Sequence, residues 1–187
     1  MSTLKICSIL VLNLLFCSVL CAVEDYPVGD QPFRRYVTGG RDGQRITFYL
    51  STQQAPGRPV PLIVWVQGTG CSSQFVSVDG RISRGLQGVL YSVAGGRARI
   101  LAVEKPGVEF LDYPPDDGDA RACRPGFLAA YTLDGWATTI VDAIQAAQKL
   151  PDVDTSKTVV VGISEGGIVA MRVSNILAQV THAKAPN

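Results

Sequence analysis

The chain has 187 residues, of which 47% are hydrophobic and 18% charged. This length and composition are typical of one globular domain with a substantial core, and they exclude an intrinsically disordered chain. The formal charge is +1, and no Lys/Arg cluster or interleaving of aromatic and basic residues indicates a nucleic-acid surface. The expected partner is therefore a small molecule.

Residues 1–21 have the layout of a secretory signal peptide. MSTLK is positively charged, ICSILVLNLLFCSVLC is an apolar run with small residues at its end, and VEDYP is polar. A membrane anchor is an alternative, but the run is short for a stable span and contains Asn13. Cys21 raises a lipid anchor as a further alternative, against which stands Leu20 where a small residue is expected. We predict a secreted or periplasmic protein whose mature chain begins at residue 22.

Two cysteines remain after the predicted signal peptide, Cys71 and Cys123. An exported protein folds in an oxidising compartment, where such a pair can form a disulfide. Two separate buried thiols are the alternative, and the sequence does not choose between them.

The first elements after residue 30 are extended. Residues 34–52 predict two strands around the turn GGRDG, because Ile46, Phe48 and Leu50 alternate as in a half-buried strand. A loop rich in Pro and Gly follows. Residues 62–66, LIVWV, then predict a strand that is covered on both faces.

From residue 86 onward, helical and strand patterns alternate. Helices are predicted from the apolar spacing of residues 86–93 and 133–147 and over residues 168–180, and buried strands over 100–103 and 158–161. Alternating fully apolar strands and amphipathic helices predict an α/β fold, with a parallel central sheet and helices on both faces.

The segment GISEGG follows the last predicted strand and carries Ser164. A serine on a sharp strand-to-helix turn needs small residues two positions away on each side, here Gly162 and Gly166, because larger side chains collide with the adjoining strand and helix. Such a turn brings the N–H of Glu165 close to the serine oxygen, where an oxyanion can form. A glycine-rich turn that serves only close packing is the alternative.

The segment QGTGCSS follows the strand over residues 62–66. In a parallel sheet the carboxyl ends of the strands meet at one edge, so this turn is expected close to Ser164, with the N–H of Thr69 as a second oxyanion donor. A plain turn with an anion- or water-binding nest is the alternative.

The segment EKPGVEF follows the strand over residues 100–103. Glu104 and Lys105 either contact substrate, brace the neighbouring loops or form a salt-bridged structural turn. The next segment, DYPPDDGDARACRPG, predicts a long surface loop that can shape a pocket.

Taken together, QGTG, EKPG and GISEGG resemble segments of the α/β-hydrolase superfamily, from about Tyr36 to the end of the chain and over the amino-terminal half of that fold. Gln67 stands where histidine is common, and EKPG replaces a D-x-R-G turn. The resemblance implies that residues 22–187 are a partial α/β-hydrolase domain. It also implies a serine hydrolase that cleaves an ester or amide through an acyl-enzyme. Ser164 is then the nucleophile, the N–H groups of Thr69 and Glu165 form the oxyanion hole, and neither metal nor organic cofactor is required.

A general base for Ser164 is not evident. His182, the one histidine, follows a predicted helix that carries it about 20 Å away, whereas a base must come within about 3 Å. It is expected at the start of a further strand or in a ragged tail. Asp152 and Asp154 precede the nucleophile strand, and nothing in the spacing of Lys105 recommends it as a substitute.

We therefore expect this chain to be a fragment that is nearly inactive in isolation, with an exposed sheet edge through which it can self-associate. One alternative is a non-catalytic exported binding or interaction protein on a hydrolase scaffold. A weaker one is an acyltransferase that uses an acceptor other than water.

Overall fold

A six-stranded sheet forms the centre of the fold in the computed structural model, which describes residues 24–53 and 57–184. The predicted signal peptide lies outside the described residues. The strands lie in the order β1-β2-β3-β7-β4-β8, and β5 and β6 form a separate hairpin. Their bounds are β1 Glu24–Pro27, β2 Phe33–Gly39, β3 Arg45–Ser51, β4 Val60–Val66, β5 Phe75–Val78, β6 Arg81–Arg84, β7 Arg99–Val103 and β8 Val153–Gly162.

In the described ranges, four α-helices accompany the strands: α1 Leu86–Ala94, α2 Phe127–Ala130, α3 Leu133–Ala147 and α4 Glu165–Lys184. β7, β4 and β8 are mutually parallel, whereas β3 pairs antiparallel with β7, and β2 and β1 continue the sheet by further antiparallel pairing. The parallel strands and the leading hairpin were both predicted, so the α/β class is confirmed. Because β7, β4 and β8 run in the same direction, their carboxyl ends and the loops that follow them share one edge.

The two faces of the sheet are covered by different helices. Along β4, Leu62, Val64 and Val66 pack in a core cluster with residues of α3 and α4. Ile63 and Trp65 point to the other face, where they pack with residues of α1. Both faces are apolar because both are covered, which explains the uninterrupted LIVWV run and confirms helices on both faces.

The apolar pattern of α1 misidentified its buried side. Leu86, Val89 and Val93 are exposed, whereas Gln87 and Gly88 are buried. Gln87 donates a side-chain hydrogen bond to the Gln74 carbonyl, which satisfies its buried amide. The helix ends at Ala94, with Gly95 in the left-handed conformation as its C-cap.

Several elements differ from the sequence predictions. β1 lies in the polar segment VEDYP, where no strand was predicted, and it pairs with β2. The hairpin β5–β6 was missed, although its Asp79-Gly80 turn, with φ of 50° and 73°, has a recognisable sequence signal. The long loop contains a 3₁₀ turn over Ala120–Ala122, and α2, which was not predicted, follows it. α4 extends beyond 168–180 at both ends.

A disulfide joins Cys71 in the loop after β4 to Cys123 in the loop before α2. This settles the alternative that the sequence left open. Cys71 also donates its backbone N–H to Asp117 O at 3.2 Å, so the long loop is held against the end of β4. Across residues 24–53 and 57–184, no helix is long and apolar enough to cross a membrane.

Candidate active site

Ser164 occupies the turn between β8 and α4. It is exposed, and its φ of 55° lies in the left-handed region that non-glycine residues rarely adopt. Such strain persists only where the surrounding structure imposes it, and it is frequent at functional sites. The turn is tight: Gly166 N–H donates to Ile163 O at 2.9 Å and Gly167 N–H to Ser164 O at 2.9 Å.

The glycines on either side of Ser164 are required by close backbone contacts. A Cβ atom at Gly162 would lie 2.1 Å from Gly166 O, and one at Gly166 would lie 2.3 Å from Gln67 O. Neither contact is possible for a real side chain, so β8, α4 and the end of β4 approach each other only because both positions are glycine. This is the steric requirement on which the sequence prediction of a strand-to-helix turn rests.

The loop after β4, residues 67–73 and here called the β4 loop, lies against Ser164. A Cβ atom at Gly68 would be 3.2 Å from Ser164 Cβ and 3.8 Å from its Oγ. Thr69 follows Gly68 and is exposed, and Glu165 begins α4. Within the described part of the chain, neither the Thr69 nor the Glu165 backbone N–H has an acceptor. Thr69 adjoins Gly68, which lies against Ser164, and Glu165 adjoins Ser164 itself, so both free donors belong to residues next to the contact between the β4 loop and the serine.

The Glu165 side chain contacts Tyr131. Its Oε2 accepts a hydrogen bond from Tyr131 Oη, and both groups border a cavity of about 160 Å³ with a mainly apolar wall. The cavity is lined by Tyr131, Thr132, Leu133, Trp136, Glu165, Ile168 and Val169. Burial raises the pKa of the Tyr131 hydroxyl, and the Glu165 carboxylate raises it further. Because Glu165 adjoins Ser164, this cavity can accommodate an apolar group of a substrate.

Glu104 and Lys105, at the end of β7, are both buried and brace the neighbouring loop. Glu104 accepts hydrogen bonds from Tyr49 Oη at 2.5 Å, from Ser73 Oγ and from the Gln74 N–H. Burial raises the pKa of Glu104 to about 7, against the opposing effect of these donors. Of the three roles considered for this turn, its contacts match bracing, since the partners of Glu104 are neutral groups of β3 and of the segment after β4 instead of opposite charges.

Lys105, the residue after Glu104, contacts the backbone of the β4 loop. Its Nζ donates to Gly68 O and to Gly70 O, each at 2.5 Å. Burial lowers the pKa of Lys105 to about 8, although Glu165, Asp117 and Glu104 act to raise it. Lys105 is thus tied to the carbonyl groups of the β4 loop.

His182 lies in α4, so the expectation of a strand or a ragged tail at this position was wrong. The helix continues without a break because its sequence between Glu165 and Lys184 contains no proline and, after Gly167, no glycine. At 1.5 Å per residue, the backbone of His182 is about 25 Å from the start of the helix, and therefore remote from Ser164.

Some site residues were not identified from the sequence. Tyr131 contacts Glu165 from 34 positions earlier in the chain, and no motif marks it. The contacts of Lys105 with Gly68 and Gly70 were also missed in detail, since they depend on the relative positions of β7 and β4.

Comparison with known proteins identifies the fold. No protein-family model and no curated protein sequence matches the chain. Among solved structures, an acetyl xylan esterase from Paenibacillus sp. R4 is 20% identical, with a TM-score of 0.54, over 82% of this chain and 49% of its own. Est1E from Butyrivibrio proteoclasticus, solved with ferulic acid bound, is 19% identical, with a TM-score of 0.52, over 74% and 46%.

A protein from Bacteroides ovatus assigned as a dipeptidyl aminopeptidase IV is 17% identical, with a TM-score of 0.56, over 79% of this chain and 20% of its own. All three have the α/β-hydrolase fold, and this chain has it too. At these identities the likeness defines the fold alone. The chain spans less than half the length of each of these structures.

Proposed function

We propose that this protein is a serine hydrolase that cleaves an ester or amide bond through an acyl-enzyme on Ser164. The observation that carries the proposal is the strained, exposed Ser164 packed against Gly68, where the adjoining N–H groups of Thr69 and Glu165 have no acceptor among the described residues. An α/β-hydrolase fold around such a turn supports it, as do esterases among the similar structures.

In the proposed reaction, Ser164 Oγ forms a bond to the carbonyl carbon while the carbonyl oxygen, now an anion, accepts from Thr69 and Glu165. The bond to the leaving alcohol or amine then breaks, and the leaving group takes a proton. Water attacks the acyl-enzyme next, which releases a carboxylic acid and restores the serine hydroxyl. The cavity beside Glu165 is the proposed location of an apolar substrate group.

The proton of Ser164 Oγ requires a general base, and the position of His182 in α4 does not suit that role. We therefore propose that these 187 residues by themselves turn over very slowly. A fluorophosphonate probe with peptide mapping tests the proposal on the protein from its native source and on the 187-residue chain. Ser164 should be modified, faster in the native protein if that protein supplies a base from residues outside this sequence.

The matched controls are Ser164→Ala, which should not be labelled, and Ser174→Ala, an exposed position in α4 that should be labelled like wild type. If folded native protein leaves Ser164 unmodified, the catalytic proposal fails. That result would favour the alternative, a non-catalytic binding protein on a hydrolase scaffold.

Export is part of the same proposal. The Cys71–Cys123 disulfide supports it, because such bonds persist in oxidising compartments. Sequencing the amino terminus of the exported protein tests the predicted cleavage after residue 21. A cytoplasmic protein with Met1 retained would contradict it.

We also propose that the chain self-associates through β8. This strand ends the sheet order, and Val159 is 54% exposed on it. Exposed edge strands are common sites of pairing between chains. Sedimentation should show concentration-dependent dimers that Val159→Lys weakens; a monomer at all concentrations would contradict the proposal.

A further inference from the structure

A buried cation lies beneath the β4 loop. Lys105 is 1% exposed, and its Nζ lies 4.7 Å from the centroid of the Trp136 ring and 5.2 Å from that of Tyr131. Its hydrogen bonds at 2.5 Å go to two backbone carbonyls, Gly68 O and Gly70 O. Burying an ammonium group is unfavourable unless its donors are satisfied, so these two carbonyls are held firmly toward it.

The direction of those carbonyls fixes the direction of the next N–H groups. A peptide bond is planar and, here, trans, so its N–H points opposite to its carbonyl. The Gly70 carbonyl faces Lys105, and the following N–H, of Cys71, donates to Asp117 O. The Gly68 carbonyl also faces Lys105, and the following N–H, of Thr69, therefore points away from the ammonium group with no acceptor among the described residues.

The peptide that Lys105 orients is also the one that borders the nucleophile, since Gly68 packs against Ser164. We propose that Lys105 is a positioning residue that turns the Thr69 N–H toward the oxyanion formed at Ser164. This inference rests on the proposed function, because the orientation matters only if Ser164 attacks a carbonyl group. Lys105 does not touch the substrate; it acts through the Gly68–Thr69 peptide.

The charged and titratable groups around Lys105 determine how the orientation of the Gly68–Thr69 peptide depends on pH. Glu104 is adjacent in the chain but directs its carboxylate to Tyr49, Ser73 and Gln74. Glu165 at the start of α4 and Asp117 in the long loop favour the protonated amine, as does Glu104, and Tyr131 contributes its ring face. Because burial outweighs these carboxylates, the pKa of Lys105 is about 8, and the amine loses its charge just above neutral pH.

Amide NMR of the folded protein tests the inference without requiring catalysis. The resonances of Thr69 and Cys71 should titrate together with a midpoint near pH 8 in wild type. In Glu104→Gln, which removes the titration of the neighbouring carboxyl, they should still titrate together, with a lower midpoint because Glu104 favours the protonated amine. Flat Thr69 and Cys71 resonances between pH 7 and 9.5 would overturn the inference. Since this measurement uses wild type, it does not depend on whether a variant folds.

The second arm measures the rate at which the fluorophosphonate probe labels Ser164. Lys105→Met should lose the titration and slow labelling about ten- to a hundredfold, less than the loss expected from deleting an oxyanion donor. Lys157→Met, on the surface strand β8, is the control and should label like wild type. Wild-type labelling by folded Lys105→Met would overturn the inference. Absence of labelling in every protein, the folded protein from its native source included, with the Thr69 titration intact, would instead reject the proposed function.

Discussion

The two parts of the candidate site are held in place by different forces. The turn at Ser164 is fixed by backbone packing: Gly162 and Gly166 let β8, α4 and β4 approach at distances that no side chain permits. The β4 loop is fixed by side chains distant in sequence, namely Lys105 and the Cys71–Cys123 disulfide. The conformation of the turn at Ser164 should therefore be insensitive to pH and redox conditions, whereas the loop that carries its oxyanion donor should respond to both.

The largest effect is expected from breaking the steric fit of the turn. Gly166→Ala places a methyl group 2.3 Å from Gln67 O, and we expect a loss of about 4 kcal/mol in the free energy of unfolding, or failure to fold. Gly167→Ala is the matched control, because its Cβ would meet nothing closer than Gly162 O at 3.9 Å. Urea denaturation compares the two; equal stability of both variants would contradict the steric account.

Removing the disulfide should destabilise the β4 loop without affecting the turn at Ser164. Cys71 and Cys123 are 52 positions apart, and opening a loop of this size costs about 4 kcal/mol of stability. The Cys71→Ser/Cys123→Ser double variant should therefore unfold at lower urea concentration. Hydrogen exchange should accelerate in the β4 loop and in residues 112–126 but not at the start of α4. Uniform acceleration across the sheet would show that the two parts are not separable.

Glu104, which contacts Ser73 in the β4 loop, should make the free energy of unfolding depend on pH. Its pKa is about 7 in the folded protein and about 4.5 when unfolded, so the folded state binds more protons between these values. The stability from Glu104 is complete below pH 4.5 and is lost as pH rises through 7. Wild type should lose about 3 kcal/mol more than Glu104→Gln between pH 4.5 and 8. Parallel pH profiles of the two proteins in urea denaturation would exclude this role.

The smallest effect is expected where the two parts meet. Tyr131→Phe removes the hydrogen bond to Glu165 but keeps the ring that contacts Phe127 and Lys105. A half-buried hydrogen bond of this kind contributes about 1 kcal/mol or less. Thermal unfolding should show a small decrease, and the labelling rate of Ser164 should change by less than about threefold. A tenfold slower rate would indicate that Tyr131 positions the Glu165 N–H.

The difference between the two parts also explains which features the sequence reveals. The turn at Ser164 could be predicted because its steric requirement falls on residues two positions away, and the hydrophobic runs of β4 and β7 predicted the parallel strands. The role of Lys105 could not be predicted, because it depends on contacts with residues 35 and 37 positions earlier, across neighbouring strands. For α1, periodicity identified the helix but not its buried side, since Gln87 is buried through a hydrogen bond.

The central claim is that Ser164 lies in an oxyanion site formed by the Thr69 and Glu165 N–H groups. A crystal structure of the fluorophosphonate adduct tests it most directly. In the adduct, phosphorus should be bonded to Ser164 Oγ, and the phosphoryl oxygen should lie about 3 Å from both backbone nitrogens. An adduct on another residue, or a phosphoryl oxygen that accepts from neither N–H, would contradict it.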